Sequence, residues 1–282
     1  MGTDEVPAEI PHDIPTSARV YAWSLGSKDN YEVDRQFALR SLPSFPEFVD
    51  ITRANRLFLY RAVRYLTEEA GIRQFIDMGC GLPTDDNVHQ VAQKFAPDAR
   101  VVYVDIDPIV LAHARALLAG DGSTVVITAD MRDQTAVLEH EETRRLIDFD
   151  EPVAVLFLSI GHHLLDADDP PGVLHHAIDR AVPGSHLAFS QVVCDDPVRG
   201  AEVEANANNA GMPWRGRNRA EVDALFRNYL EPVEPGLVDV VNWRPDPDQP
   251  PLAPVPDELL PYAGASKVGR DLTEYGGILR KS

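Results

Sequence analysis

Residues 72–81, IRQFIDMGCG, and residues 100–108, RVVYVDIDP, decide how this chain folds. Each is a short apolar run ending in an acid at a turn, and the first turn carries Gly79 and Gly81 on either side of Cys80. Short runs rich in Val and Ile, apolar at successive positions, suit strands buried between two layers of helix. Helical patterns separate them: DNVHQVAQKFA follows the first and DPIVLAHARALLAG the second. The alternation continues through STVVITAD, the helix QTAVLEHEETRRLID, VAVLFLSIG, the helix PGVLHHAIDRAV and SHLAFSQVV. We therefore expect an α/β chain, a doubly wound parallel sheet with helices on both faces.

Working outward, the chain past Asp195 turns helical through AEVEANANNAG and RAEVDALFRNYL, an insertion over about residues 196–230. LVDVVNW and YGGILRK follow as strands, the last of them antiparallel, joined by a proline-rich surface loop. Upstream, residues 1–15 hold three prolines and little apolar periodicity, which predicts a flexible arm. Residues 16–71 read as a helical cap, closing on a long helix with Phe58, Leu59, Ala62, Val63 and Leu66 at helical spacing. Residues 72–282 are then the main domain.

The 282 residues are 44% hydrophobic, enough for a sizeable buried core. No run of 18 or more uncharged apolar residues occurs, and the acidic start lacks the basic-then-apolar order of a signal peptide, so we expect a cytoplasmic protein without a membrane partner. Cys80 and Cys194 are too few for a disulfide framework and lack metal-ligand spacing. A net charge of −19 with scattered Lys and Arg argues against nucleic acid as a partner.

The chemistry-bearing positions sit at strand ends. Gly79 and Gly81 let a ligand approach the backbone, as in nucleotide-binding sheets. The third glycine of a dinucleotide fingerprint is missing, since Thr84 stands there after Pro83. Asp77, Asp85 and Asp86 around the turn would repel a pyrophosphate and suit a cationic or zwitterionic ligand. An ordinary capped strand-to-helix turn is the plainer alternative. Asp105, one βα unit further on, can accept hydrogen bonds from both hydroxyls of an adenosine ribose, with Asp107 better explained as a helix cap before Pro108. Asp130 can accept from an adenine amine while Met131 packs on the ring, although a capped turn would look the same.

DMGCG, VVYVDIDP and TADMRD resemble the first three motifs of class I S-adenosylmethionine-dependent methyltransferases. More specifically, SARVYAWSLGSKDNYEVDR, IRQFIDMGCGLPTDDNVHQVAQ, VVYVDIDPIVLAHARALL, PGLVDVVNWRP and YGGILRK resemble an actinobacterial S-adenosyl methyltransferase-like family, formerly a domain of unknown function. The resemblance implies the Rossmann-like class I methyltransferase fold: a seven-stranded, mostly parallel sheet with an antiparallel last strand, helices on both faces and a helical N-terminal cap. It implies S-adenosylmethionine as cofactor, with Asp77, Gly79, Cys80 and Gly81 at its methionine end, Asp105 on the ribose, and Asp130 with Met131 on the adenine. Ile106 and Ser159, at the second and fourth strand ends, are counted with them.

The function expected is methyl transfer to oxygen, nitrogen or carbon of a small molecule. Such a transfer needs a base only where the acceptor loses a proton, and His162 and His163 after the fourth strand are the candidates. Their alternative is packing beneath the cap, and no metal site is expected. Tyr21, Lys28, Asn30 and Tyr31 from the cap, and Trp214 and Arg217 from the insertion, are candidates to contact cofactor or acceptor, with a solvated loop competing for the first group. Two rival functions remain: a non-catalytic S-adenosylmethionine-binding sensor or interaction protein, and a nicotinamide-dependent oxidoreductase, which the missing glycine and the acidic turn disfavour.

Overall fold

A computed structural model describes residues 12–117, 122–268 and 271–282. Most of the expected N-terminal arm and the end of DPIVLAHARALLAG lie outside the described residues. In chain order come α1 (Ser17–Ser24), α2 (Glu32–Ser41), α3 (Phe48–Glu68), β1 (Gln74–Met78), α4 (Val88–Phe95), β2 (Arg100–Asp105), α5 (Pro108–Leu117), β3 (Thr124–Thr128), α6 (Gln134–Leu138) and α7 (Glu141–Leu146). They continue with β4 (Ala154–Phe157), α8 (Pro170–Asp179), β5 (His186–Cys194), α9 (Pro197–Asn209), α10 (Arg219–Leu225), β6 (Glu231–Pro232), β7 (Val238–Asp239) and β8 (Leu272–Arg280).

Among the described residues, eight strands form one sheet in the order β3-β2-β1-β4-β5-β8-β6, with β7 also on β8. Strands β1 to β5 are mutually parallel, and β8 runs antiparallel to β5, β6 and β7. The seven strands read from the sequence are present; the eighth, β6, is an exposed pair of residues that no apolar run announces. Side chains alternate across the sheet as the pleat requires. Ile76, Met78, Val102, Val104, Val155 and Phe157 face α6, α8 and α10, whereas Phe75, Val101, Tyr103, Ala154 and Leu156 face α3 and α4.

Two expected elements are cut short for visible reasons. LVDVVNW is extended only at β7 and then turns into a 3₁₀ segment, Val240–Asn242. Arg61 of α3 holds that turn from below, donating from Nε to Trp243 O at 2.9 Å and from Nη2 to Val240 O at 2.6 Å. QTAVLEHEETRRLID breaks into α6 and α7 because His140 Nδ1 accepts from the Glu142 amide, starting a new helix.

Helices α1 to α3 close over the strand ends. Val20 and Trp23 of α1, Ala38 of α2, Leu42 just past it, Val49 of α3 and Leu259 form one apolar cluster. At its side lies a fully buried ion pair, Arg19 Nε to Asp34 Oδ2 at 2.7 Å. Asp34 also accepts from the Thr16 amide at 3.1 Å and the Tyr31 amide at 2.8 Å, so one carboxylate joins α1 to the start of α2. Removing it leaves a buried guanidinium uncompensated. We expect Asp34→Ala to lower unfolding stability by about 3–5 kcal/mol, read as a shift in urea midpoint at unchanged slope. A loss below about 1 kcal/mol would mean the pair contributes no more than a surface one.

Candidate functional site

The parallel strands deliver their C-terminal ends to one edge, where a cavity of about 530 Å³ lies between the strand tips and the N-terminal helices. Asp77, Gly79, Cys80, Gly81, Asp105, Ile106, Asp130, Met131, Ser159, His162, His163, Tyr21 and Trp214 all line it. Lys28, Asn30, Tyr31 and Arg217 do not. Lys28 is exposed, and Asn30 is occupied locally, its Nδ2 donating to Ser27 O and its Oδ1 accepting from Arg35. Tyr31 starts α2, with the Arg19 guanidinium 5.0 Å above its ring. Buried Arg217 clamps the segment after β4 instead, donating to Gly161 O at 3.2 Å and Leu164 O at 2.8 Å.

The glycine turn is pinned at both ends. The amides of Gly79 and Cys80 donate to Val104 O at 2.8 and 3.1 Å, and the Gly81 amide donates to Asp105 Oδ2 at 2.9 Å. Gly79 and Gly81 take φ of +63° and +65°, the left-handed region where a side chain is strained, and a Cβ at Gly81 would stand in open space with nothing within 4 Å. Asp105 Oδ1 accepts the Asp107 amide at 2.9 Å, and Asp107 itself caps α5 through the Ile109 amide. The Cys80 thiol also points to Asp105 Oδ2, at 3.9 Å, and since an ionised carboxylate offers about four acceptor positions, Asp105 keeps about one for a ligand. Burial raises its pKa against the backbone bonds that lower it.

Asp77 is buried beside the turn. Desolvation pushes its pKa up to about 7, with Asp105 adding to the rise and Arg56 opposing it. Burial likewise pushes the Cys80 thiol well up, which leaves it a packing residue and no nucleophile. Asp130 is engaged by its neighbour: the Arg132 amide and Nε reach Oδ1 at 2.9 Å, and Arg132 Nη2 reaches Oδ2 at 2.6 Å. That pairing holds Asp130 below the usual carboxylate range, and an adenine amine would have to share it.

The adjacent histidines have different tautomers. His162 is buried and stacked on Trp214, ring centroids 3.8 Å apart, and its Nδ1 accepts from the Val192 amide, so the proton of the neutral ring is on Nε2. His163 Nδ1 lies 2.6 Å from Pro213 O, a group that only accepts, so His163 carries its proton on Nδ1 and leaves Nε2 as a base. Burial lowers the pKa of both.

A polar chain that the sequence reading missed ties the cap to the sheet. Tyr21 Oη donates to Thr52 O and accepts from Asn55 Nδ2 at 2.8 Å; Asn55 Oδ1 accepts from Ser190 Oγ at 2.7 Å; Ser190 Oγ accepts from the Ser159 amide at 2.8 Å. Glu274 of β8 lies beside the Ser159 and Ser190 hydroxyls and is 1% exposed. Burial pushes its pKa up to about 8, outweighing the lowering by the two serines, so at neutral pH it is mostly the uncharged acid. Its signal in the sequence was a lone acid inside the apolar strand LTEYGGILR.

The profile of the S-adenosyl methyltransferase family matches residues 3–281. The chain belongs to this family. It is 36% identical to a DUF574 family protein from Streptomyces avermitilis, covering 97% of this chain and 100% of that one at a TM-score of 0.83. It is 39% identical to a Thermobifida fusca protein provisionally described as a methyltransferase, covering 99% and 100% at a TM-score of 0.84. The plantazolicin methyltransferase BamL, at 10% identity, 94% and 96% coverage and a TM-score of 0.51, shares the fold. A search of curated proteins finds no match. The family's cofactor is S-adenosylmethionine, and the cavity suits it: Asp105 has a spare acceptor position, the space over Gly81 is open, and Ile106 stands 59% exposed on the cavity wall where a ring would cover it. Among the described residues no helix is long and apolar enough to cross a membrane.

Nitrogen-15 NMR of the imidazoles checks the tautomers. At pH 7 we expect Nε2–H for His162 and Nδ1–H for His163, with both rings gaining their second proton at lower pH than a free imidazole. The opposite tautomer at either ring would contradict the assignment.

Proposed function

We propose that this methyltransferase acts on a small molecule whose acceptor atom, an oxygen or a nitrogen, must lose a proton, and that His163 Nε2 takes it. The observation that carries this reading is the His163–Pro213 hydrogen bond, which directs the free lone pair of a neutral imidazole to a position in the cavity wall after β4. Bound S-adenosylmethionine supplies a methyl group on a sulfonium sulfur, displaced in line by an electron pair of the acceptor. The protein's part is to hold, orient and keep dry. Asp105 holds the ribose, Ile106 and Met131 cover the adenine, and Asp77 faces the methionine ammonium. His162, donor-bearing and fixed by Val192 and Trp214, positions the acceptor beside His163. Asp130 contributes to the adenine only where Arg132 gives way. A division into cap, catalytic domain and insertion fits this reading: α1 to α3 roof the cofactor, and α9 with the segment to Trp214 walls the acceptor.

Calorimetric titration with S-adenosylmethionine, S-adenosylhomocysteine and oxidised nicotinamide cofactor tests the reading. The first two should bind and the third should not, and Asp105→Ala should weaken binding by about 1–3 kcal/mol. Binding of the nicotinamide cofactor alone would overturn it.

Asp77 adds a pH dependence. Its folded pKa of about 7 lies above the unfolded 3.8, so the native chain holds this proton more tightly and the carboxyl's contribution to stability falls as pH rises from about 4 through 7. A ligand ammonium favours the carboxylate, so affinity should rise through pH 7, with proton release on binding below it. Asp77→Asn should therefore gain stability relative to wild type between pH 5 and 8 while losing this rise in affinity. A flat affinity between pH 6 and 8 in the wild type would remove Asp77 from the ammonium.

A further inference from the structure

The strand tips line up in space as β3, β2, β1, β4 and β5, neighbouring strands about 4.8 Å apart, so the cavity floor runs about 19 Å from the first tip to the last. Charge is distributed unevenly along it. The charged side chains lining the cavity are Arg56, Asp77, Asp105, Asp107, Asp130 and Arg132. All but Arg56 stand at or just past β1, β2 and β3, and Arg56 reaches over the β1 side, donating to Asp85 O at 2.6 Å. Over β4 and β5 the wall is Phe45, Ile51, Val192, Val203, Met212 and Trp214. Five of these, all but Met212, pack as one apolar cluster.

Charged groups nearby are committed elsewhere and do not line the cavity. Glu47 pairs with Arg199 at 2.6 Å, Arg215 with Asp166 at 2.9 Å and Glu221 at 3.2 Å, and Arg217 with the carbonyls after β4. Arg215 and Arg217 of the insertion therefore cannot meet a carboxylate in this lobe. Among the described residues no charged side chain lines the cavity over β4 and β5, and Glu274 behind Ser159 and Ser190 is mostly the neutral acid, so a charged acceptor would lose its hydration there without a lining counter-charge. Polar side chains on this side are Ser44 and Asn206, which hydrogen-bond each other at 2.9 Å, Ser159 at the β4 tip, and His162 and His163, one imidazole with a donor Nε2 and one with an acceptor Nε2. Together the two imidazoles match a single hydroxyl. Trp214 and His162 cover each other face to face, 24° from parallel, so the aromatic surface offered to a ligand here is what the stack leaves open on the Trp214 indole, which lines the cavity.

Building on the function proposed above, we infer that the acceptor is an uncharged, planar, largely apolar molecule carrying a hydroxyl, an aromatic alcohol in character, seated over β4 and β5. The zwitterionic cofactor and the acceptor thus occupy lobes of opposite polarity.

The test uses the full chain saturated with S-adenosylhomocysteine and three probes of one shape: 2-naphthol, 2-naphthoate and 2-naphthylmethylammonium, followed by calorimetry and tryptophan fluorescence. We expect 2-naphthol to bind at least about tenfold more tightly than either charged probe. Val203→Asp should weaken 2-naphthol about tenfold or more with S-adenosylhomocysteine affinity kept. Should that variant fail to fold, the isosteric Val203→Thr should weaken 2-naphthol about threefold. Equal or tighter binding of a charged probe, or no saturable 2-naphthol binding while S-adenosylhomocysteine binds, overturns the inference. Failure of S-adenosylhomocysteine itself to bind overturns the function on which it rests.

Discussion

The Asp105 carboxylate holds the site together. One oxygen accepts the amide of Gly81 from the turn after β1, and the other accepts the amide of Asp107 at the entrance to α5. Both bonds depend on the β1–β2 register, with Met78 opposite Val104, and on the left-handed turn at Gly79 and Gly81. The same contacts that order the turn leave Asp105 on the cavity wall, so in the function we propose, building the floor and recognising the ribose are one arrangement.

The roof depends on a second set of polar groups in an otherwise apolar closure. Tyr21, Asn55, Ser190 and the Ser159 amide link α1, α3, β5 and the β4 tip through successive hydrogen bonds. Glu274 lies at the foot of that chain as a mostly neutral acid. With Asp77 also raised to about 7, the site holds two carboxyls whose protons burial retains near neutrality. Such groups cost stability as pH rises. Fields of this kind cluster at functional sites.

Much of this was legible in the residues. The strands and helices from Gln74 to Cys194 are marked by alternating apolar runs, and the acids at the strand ends stand out because each follows a run of Val or Ile. What escaped the reading depends on contacts far apart in the chain. Arg61 reaches 182 residues to fold back the strand expected at LVDVVNW, and no local pattern encodes that. Lys28, Asn30 and Tyr31 form a dense polar group on paper, yet the loop satisfies Asn30 internally and aims none of the three at the cavity. Arg217 was read as facing an acceptor, and its burial against backbone carbonyls shows only in three dimensions. Which ring nitrogen carries the proton in each of the two adjacent histidines is equally hidden, because it is set by Val192 and Pro213 on other segments.

A crystal structure of the complex with S-adenosylhomocysteine tests the central claim most directly. We expect the ribose hydroxyls on Asp105, the adenine against Ile106 and Met131 near the β3 tip, and the sulfur pointing toward His163. Density lying over β4 and β5 against Val192 and Trp214, with Asp105 untouched, would contradict it.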